Sequence, residues 1–332
     1  MATVLIRGDG VAACCCARLL ELGGLRPAFA TGDRPKVPAV MVGEATQKLL
    51  RDVFERDALF DGLPRIHQRI VAWGAESSAV KLPHSAIVIS EQVLLDRIGR
   101  PLPHTPISNE ADWTILASRP LPGSPVEHRF GSRTGTASKV KFRTGGDSHT
   151  CWMESLAAGW LFLLPDEGEC GWLLAVGESA GSLLGQSRMV ADQIDEVTAT
   201  AGNFPCYPRI VEPLCQPGWL ACGTAALGFD PLCGDGTGYA TREAILGSAV
   251  VRAALDGADA DALSAHYTAR LVAGFQRHLE VCRQFYETGG TGPWWRQEAD
   301  ALRRGLDWCR RKLAAAPPFR YRLNGFSLEA VE

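Results

Sequence analysis

Two glycine-rich clusters more than two hundred positions apart constrain what this chain can fold into. The first is Val4-Leu5-Ile6-Arg7-Gly8-Asp9-Gly10-Val11-Ala12-Ala13, an apolar run that breaks into a turn and continues with helical periodicity. The second is Gly223-Thr224-Ala225-Ala226-Leu227-Gly228-Phe229-Asp230-Pro231-Leu232-Cys233-Gly234-Asp235-Gly236-Thr237-Gly238, again followed by a helical run. Gly8-x-Gly10-x-x-Ala13, after a strand and at the head of a helix, has the context of a dinucleotide-binding turn. Gly8 allows the tight turn, Gly10 a close approach by a pyrophosphate, and Ala13 close helix-sheet packing. The N–H groups around Val11 and Ala12 would then face negative charge. A ligand-free β-turn-α unit is the plain alternative.

Residues 27–30 read as a second strand, which completes a β-α-β start. Asp33 and Arg34 follow, roughly where an acidic partner for a ribose is expected; a surface turn is the alternative. In the second cluster, Gly234-x-Gly236-x-Gly238 with Thr237 precedes a helix whose N-terminus favours negative charge. The glycines keep side chains away from whatever lies in front, and Pro231 stiffens the loop. Two such clusters in this order fit one long cofactor held at both ends, a pyrophosphate at the first and a flavin at the second. FAD has that shape.

The rest of the chain organises around these two points. A length of 332 residues suggests about two domains. The predicted class is α/β: an FAD-binding, Rossmann-like domain from residues 1–65, 90–119 and 205–256. It is interleaved with an antiparallel-sheet substrate domain from 66–89 and 120–204, and followed by a C-terminal helical region over 257–332. Short strand-like runs between turn residues carry the antiparallel assignment. The net charge of −3 gives no sign of a nucleic-acid partner. No apolar run approaches the ~18–20 residues of a membrane span. The start lacks a charged and then apolar leader, so a cytoplasmic location is expected. The 11 cysteines include Cys14-Cys15-Cys16 in a predicted helix but no Cys-x-x-Cys pair, so no metal is expected. Cys233 stands out because it lies inside the second glycine cluster.

These stretches together resemble FAD-dependent monooxygenases of the aromatic-hydroxylase class. The branch they are most similar to holds the tryptophan halogenases and the flavoproteins that mature tryptophan-derived quinone cofactors. Besides the two glycine clusters, Val42-Gly43-Glu44-Ala45-Thr46 with Leu49, Leu50 and Phe54 looks like the segment that lies over the flavin. Tyr267, Phe275, Phe285-Tyr286 and Trp294-Trp295-Arg296 are similar to the branch's helical cap. The resemblance implies FAD contacts at Gly43, Glu44, Gly223, Thr224, Asp230 and Gln92. It also shows departures: Thr224 stands where the family usually has Asp, and Glu91-Gln92 where an Arg is common. Halogenation needs a lysine in the strand after the Gly-Glu-Ala-Thr segment; His67-Gln68-Arg69 stands there instead, which points to hydroxylation.

The resemblance implies a hydroxylated aromatic substrate, with a tryptophan or other ring in a peptide or small protein as one case. NAD(P)H or an external reductase would supply electrons. The acid-base candidates are His67, Glu44 and Asp230. Trp152, Trp160, Phe162 and Trp172 fall on predicted strands over the substrate, where they either stack on a ring or fill a core. Arg270, Arg277, Arg283, Arg296, Arg303, Arg304, Arg310 and Arg311 form either a docking face for an acidic peptide or an ordinary solvated surface. No Gly-x-Ser-x-Gly elbow or His-Glu-x-x-His pair supports a hydrolase or metalloenzyme. Two other readings stand: a flavin-dependent reductase or dehydrogenase, and a non-catalytic maturation or binding protein on a vestigial flavin fold.

Overall fold

The computed structural model describes residues 3–30, 35–74, 78–99, 111–145, 147–166 and 168–331. The chain opens with β1 (Val4–Arg7), α1 (Val11–Leu22) and β2 (Ala28–Ala30). β1 and β2 are parallel, with Leu5 opposite Ala28, so α1 crosses over the sheet and is buried along nearly its whole length. The three consecutive cysteines lie inside it as small apolar residues.

The chain continues through β3 (Val40–Gly43), α2 (Glu44–Phe54), β4 (Arg65–Ala72), β5 (Val80–Ile89) and α3 (Glu91–Ile98). It returns as β6 (Trp113–Leu116), parallel to β1 with Trp113 opposite Val4. A second excursion holds β7 (Val126–Arg129), β8 (Thr134–Phe142), β9 (Thr150–Leu156), β10 (Gly159–Pro165) and β11 (Cys170–Gly177). A short α4 (Ala180–Gln186) and the long β12 (Ile194–Pro205) close that excursion. The second return is β13 (Arg209–Glu212), β14 (Cys215–Gln216), β15 (Trp219–Ala221) and β16 (Leu227–Gly228). Three long helices follow, α5 (Gly236–Leu255), α6 (Ala260–Thr288) and α7 (Pro293–Ala314), and then a hairpin of β17 (Tyr321–Asn324) and β18 (Ser327–Ala330).

The strands sort into one sheet of order β14-β15-β6-β1-β2 and a larger one of order β12-β8-β11-β10-β9-β4-β5-β3. In the first sheet, β15, β6, β1 and β2 are parallel and only the edge strand β14 runs against them. The larger sheet is not wholly antiparallel as expected: β4 and β9 pair in parallel, Gln68 opposite Thr150. That pair is where the two excursions of the chain meet side by side. A third sheet, β16-β13-β7, carries the chain into the second glycine cluster and has no counterpart among the predicted elements. Its strands are two to four residues long, too short for a period-2 signal. The C-terminal region is likewise not helical to its end, because β17 and β18 pair after α7.

The large sheet separates two cores. β10 shows why: Trp160, Phe162 and Leu164 face one side, while Leu161 and Leu163 face the other, as a strand's alternation requires. Leu161 and Leu163 pack with Val140, Trp152, Leu173 and Leu183 in the smaller core. Trp160 and Phe162 belong to the main core, shared with α1, α5, α6 and α7. Among the described residues no helix is long and apolar enough to cross a membrane.

Candidate functional site

A cleft of about 580 Å³ opens between the large sheet and the second glycine cluster. Its walls are largely apolar: Phe162 and Leu164 from β10, Trp172 and Leu174 from β11, Phe204 from β12, and Phe229. The strip Pro35–Met41 closes one side, and Asp230, Pro231, Gly234, Gly236 and Thr237 form the end. Of the four aromatic candidates, Phe162 and Trp172 line the cleft. Trp160 is fully buried and donates from Nε1 to the Tyr286 hydroxyl at 3.1 Å. Trp152 packs against Phe142 in the smaller core. Strand face separates Trp152 from the other three, whereas Trp160 shares its face of β10 with Phe162 and is set apart by its burial against Tyr286.

Three helices start around this region without a side-chain cap: α1 behind Gly10, α2 behind Gly43 and α5 behind Asp235. By contrast, Ser90, Ser179 and Asp259 cap α3, α4 and α6 with their side chains. (α7 also lacks a side-chain cap, but its first turn holds Pro293, which has no N–H to offer.) Uncapped first-turn N–H groups must find water or a ligand, and the helix dipole favours an anion. The α2 and α5 starts are tied together directly, and α1 is held by neighbouring contacts. Thr46 Oγ1 of α2 donates to Asp235 Oδ1 at 2.6 Å, before α5. A Cβ at Gly223 would stand 2.8 Å from that of Ala12, which presses the end of β15 onto α1. Lys36, from the cleft wall, pairs with Asp9 in the first glycine turn.

The glycines have two separate functions. Gly8 has φ +137°, and a Cβ there would stand 3.0 Å from the Ala117 carbonyl carbon, so the turn closes against the end of β6 only with glycine. Gly234 has φ +60°, with the Met41 methyl 2.9 Å from a built Cβ. A Cβ on Gly238 would overlap the Asp235 and Thr46 side chains. At Gly43 and Gly236 the space beside the backbone is open, as a site for an adjacent ligand requires. An apolar cleft that ends on the second glycine turn, with a wall paired to the first turn through Lys36 and Asp9, fits a long ligand with an anionic centre and a flat apolar end.

The charged candidates are placed differently. Asp230 is buried with its carboxylate wholly committed: Oδ2 takes Arg133 Nε at 2.6 Å and the Tyr286 hydroxyl at 2.9 Å, and Oδ1 takes Leu232 N–H at 2.9 Å. It therefore ties the loop to the head of β8 and to α6. Arg133 also pairs with buried Glu298 and lies 4.4 Å over the Tyr286 ring. Burial opposes its charge, but Tyr286, Asp230 and Glu298 outweigh that and hold the guanidinium above its ordinary range. His67 does not enter the cleft. It is exposed, with its ring 5.3 Å from that of His149. The cause is a bulge between Ile66 and Gln68: His67 and Gln68 both donate their N–H groups to the His149 carbonyl, which interrupts the alternation of β4.

Arg69, two residues on, lies against the cleft wall. Its Nη2 is 3.9 Å from Met41 Sδ and 3.2 Å from His84 Nε2, and its guanidinium lies 5.8 Å over Phe162. Burial and Arg69 together lower the His84 pKa. Glu44 is exposed at the start of α2, and Thr224 is exposed with its carbonyl accepting from Arg209 Nη2 at 2.7 Å. Gln92 is exposed on α3 and donates to Asp96 at 2.8 Å, one turn away. Its neighbour Glu91 is buried and receives Val37 N–H at 2.9 Å, so the position expected for a cofactor contact anchors the cleft's Pro35–Met41 strip. Asp33 and Arg34 lie outside the described residues.

Sequence reasoning missed Lys36, Arg133 and Glu243. Lys36 and Arg133 carry no motif, and their partners lie 27 and 97 positions away. Glu243, in α5, accepts Gly223 N–H at 2.7 Å from inside the protein. Burial is the main cause that lifts its carboxyl to about 8, with the Gly223 N–H acting in the opposite sense. Of the tail arginines, Arg283, Arg303 and Arg310 pair with acids on α6 and α7, and Arg270 stacks over Phe319. Three of the eight arginines are thus locally neutralised.

Neither a protein-family model nor a curated protein sequence matches the chain. Solved structures do match. The flavin-dependent halogenase CmlS is 17% identical, with a TM-score of 0.76 over 92% of this chain and 70% of that one. QhpG, described as a peptidyl tryptophan dihydroxylase essential for tryptophylquinone cofactor biogenesis, is 18% identical, with a TM-score of 0.72 over 89% of this chain and 78% of that one. A single-residue variant of HpxO from Klebsiella pneumoniae, complexed with FAD, is 13% identical, with a TM-score of 0.61 over 95% of each chain. The sheets, the two glycine turns and the three closing helices described above make the fold of this chain that of the flavin-dependent halogenases and hydroxylases.

Proposed function

We propose that this chain binds FAD and is a monooxygenase that hydroxylates an aromatic ring, with tryptophan in a peptide or small protein as the favoured substrate. One observation carries the reading: the second glycine turn and the uncapped start of α5 form the end of an apolar, aromatic-walled cleft, whose Pro35–Met41 wall reaches the first glycine turn through the Lys36–Asp9 pair. The likeness to a peptidyl tryptophan dihydroxylase supports the substrate choice.

In this reading Gly8, Gly10, Val11 and Ala12 receive the pyrophosphate on backbone N–H groups, and Asp33 and Arg34 serve the ribose end. Gly43, Glu44, Gly234, Gly236, Thr237 and Gly238 border the flavin, with the α5 start facing its polar edge. Segments 1–65, 90–119 and 205–256 then form the cofactor domain. Reduced FAD supplies the activation of oxygen; the protein supplies orientation and a dry cavity. Phe162, Trp172, Phe204 and Phe229 exclude water and give an aromatic substrate faces to stack on. Arg69 holds positive charge beside the cleft, where it favours an anionic cofactor. Asp230 and Arg133 fix the loop.

The test is direct. The purified chain is mixed with FAD, desalted and read by absorbance. A retained flavin spectrum, followed by oxygen incorporation into a tryptophan-containing peptide under a reductant, is the expected result. Turnover that persists without oxygen would instead favour a reductase. A colourless protein that captures no FAD would overturn the reading.

A further inference from the structure

Behind the flavin-end turn, Cys233 Sγ lies 3.8 Å from Cys282 Sγ, and Cys282 Sγ lies 3.4 Å from His278 Nε2. The three atoms are all within 4.8 Å of one another. His278 and Cys282 are one turn apart on α6, so helical geometry places them on one face; the turn Pro231–Cys233 brings the third group. The two thiols are unequal. Cys233 is partly exposed, while Cys282 is buried. The hydrogen bond from Cys282 lowers the Cys233 thiol to about 6 against the opposing effect of burial, whereas burial raises Cys282. A partly exposed, acidic thiol beside a buried one is the arrangement of a reactive cysteine and its resolving partner.

A metal ion is the rival occupant, and the imidazole argues against it. His278 Nε2 already accepts Asp230 N–H at 2.9 Å, so its lone pair is engaged. Its Nδ1 is buried with no partner, whereas a metal-bound histidine is normally held through its second nitrogen.

We propose that Cys233 and Cys282 form a peroxide-oxidised dithiol that locks the flavin-end turn to α6. The Cys233 thiolate attacks a hydrogen peroxide oxygen, the O–O bond breaks, hydroxide leaves, and Cys233 becomes a sulfenic acid. Cys282 sulfur then attacks Cys233 sulfur, the S–O bond breaks, and the second oxygen leaves as water with the Cys282 proton. Two thiols and one peroxide give one disulfide and two waters, with sulfur losing the two electrons that peroxide gains. Closure needs the sulfurs to approach by about 1.8 Å to reach bonding distance. The displacement falls on a short turn bounded by Gly234 in the left-handed region, beside Asp230 and Pro231 of the cleft. The inference does not depend on FAD binding, because peroxide is supplied as a reagent.

The full chain is treated with hydrogen peroxide, alkylated, digested without reductant and read by mass spectrometry. A peptide pair linked through Cys233 and Cys282, two hydrogens lighter than its parts and released by dithiothreitol, is the expected product. Cys282→Ser leaves Cys233 as a sulfenic acid trapped by dimedone, and Cys233→Ser removes both products. The wild-type cross-link needs no variant to fold. Three results would each overturn the proposal: Cys233 oxidised singly in the wild type, both thiols inert to peroxide, or a co-purifying metal that shields both from alkylation.

Discussion

The two glycine turns use similar residues and are held by opposite means. The first is shaped by backbone packing: Gly8 closes against Ala117, and Gly223 presses on Ala12, within a parallel sheet whose register leaves little freedom. The second is shaped by buried charge. Arg133, Asp230, Glu298 and Tyr286 reach it from the head of β8, the turn itself, α7 and α6. Each turn also has a thiol pair close by, and these differ in the same sense. Cys16 and Cys222 are 4.0 Å apart and wholly buried, whereas Cys233 has an exposed face. A turn made by a sheet is rigid wherever the sheet forms. A turn made by a charge network depends on distant elements all being in place, and can be changed at any of them.

Breaking the second turn has the largest expected effect. Arg133→Met leaves Asp230 and Glu298 buried without their cation and is expected to cost about 3–5 kcal/mol, read by chemical denaturation. The double change Arg133→Met with Asp230→Asn should recover part of that loss, and additivity of the two would show that the network does not act as a unit. At the first turn, Gly8→Ala places a side chain at positive φ against backbone and is expected to cost about 1–3 kcal/mol. Its diagnostic reading is FAD retention after desalting, which should fall.

The cleft beside the second turn is more tolerant. Trp172→Ala is expected to weaken aromatic-substrate binding by about 0.5–1.5 kcal/mol beyond lost area while FAD is still retained. Equal substrate affinity in titration would remove Trp172 from the site.

The link between the turns and α5 is tested by pH. Glu243 keeps its proton to about 8 when folded, against an ordinary value of 4.5. The folded state therefore binds more protons than the unfolded state between those values. Its contribution is complete below 4.5 and is lost as the pH rises through 8. Glu243→Gln should flatten that alkaline decline in Tm, with the gain over the parent chain greatest on the alkaline side of the folded value. A parallel decline in both proteins would exclude the carboxyl as its source. The smallest effect belongs to His67→Gln, within about 0.5 kcal/mol and without change in turnover, because the ring stands outside the cleft.

Much of this architecture is legible locally. β1, the glycine turn and α1 follow from an apolar run, a breaker and a helical repeat, and all three form close to where the residues suggest. Phe229, Asp230 and Gly234 are likewise visible as a turn before a helix, although Gly236–Gly238 belong to the first turn of that helix and not to the loop before it. What escapes is anything settled by a partner far along the chain. Period-2 reasoning cannot see the bulge that turns His67 outward and sets Arg69 against the cleft wall, because that bulge is made by the His149 carbonyl, about eighty positions on. Nor can it tell Trp160, sealed against Tyr286, from Phe162 on the same face of the same strand.

The sequence by itself therefore determined the β-α-β opening, the two turns and the apolar character of the strands between them. Those depend on backbone freedom and on spacing within a few residues. Tertiary structure alone decided that Asp230 is bound by Arg133 and Tyr286, that Lys36 joins the cleft wall to the first turn, and that Cys233 meets Cys282. Each of those is a matter of electrostatics or contact between residues brought together only when the sheets close, and no local pattern records it.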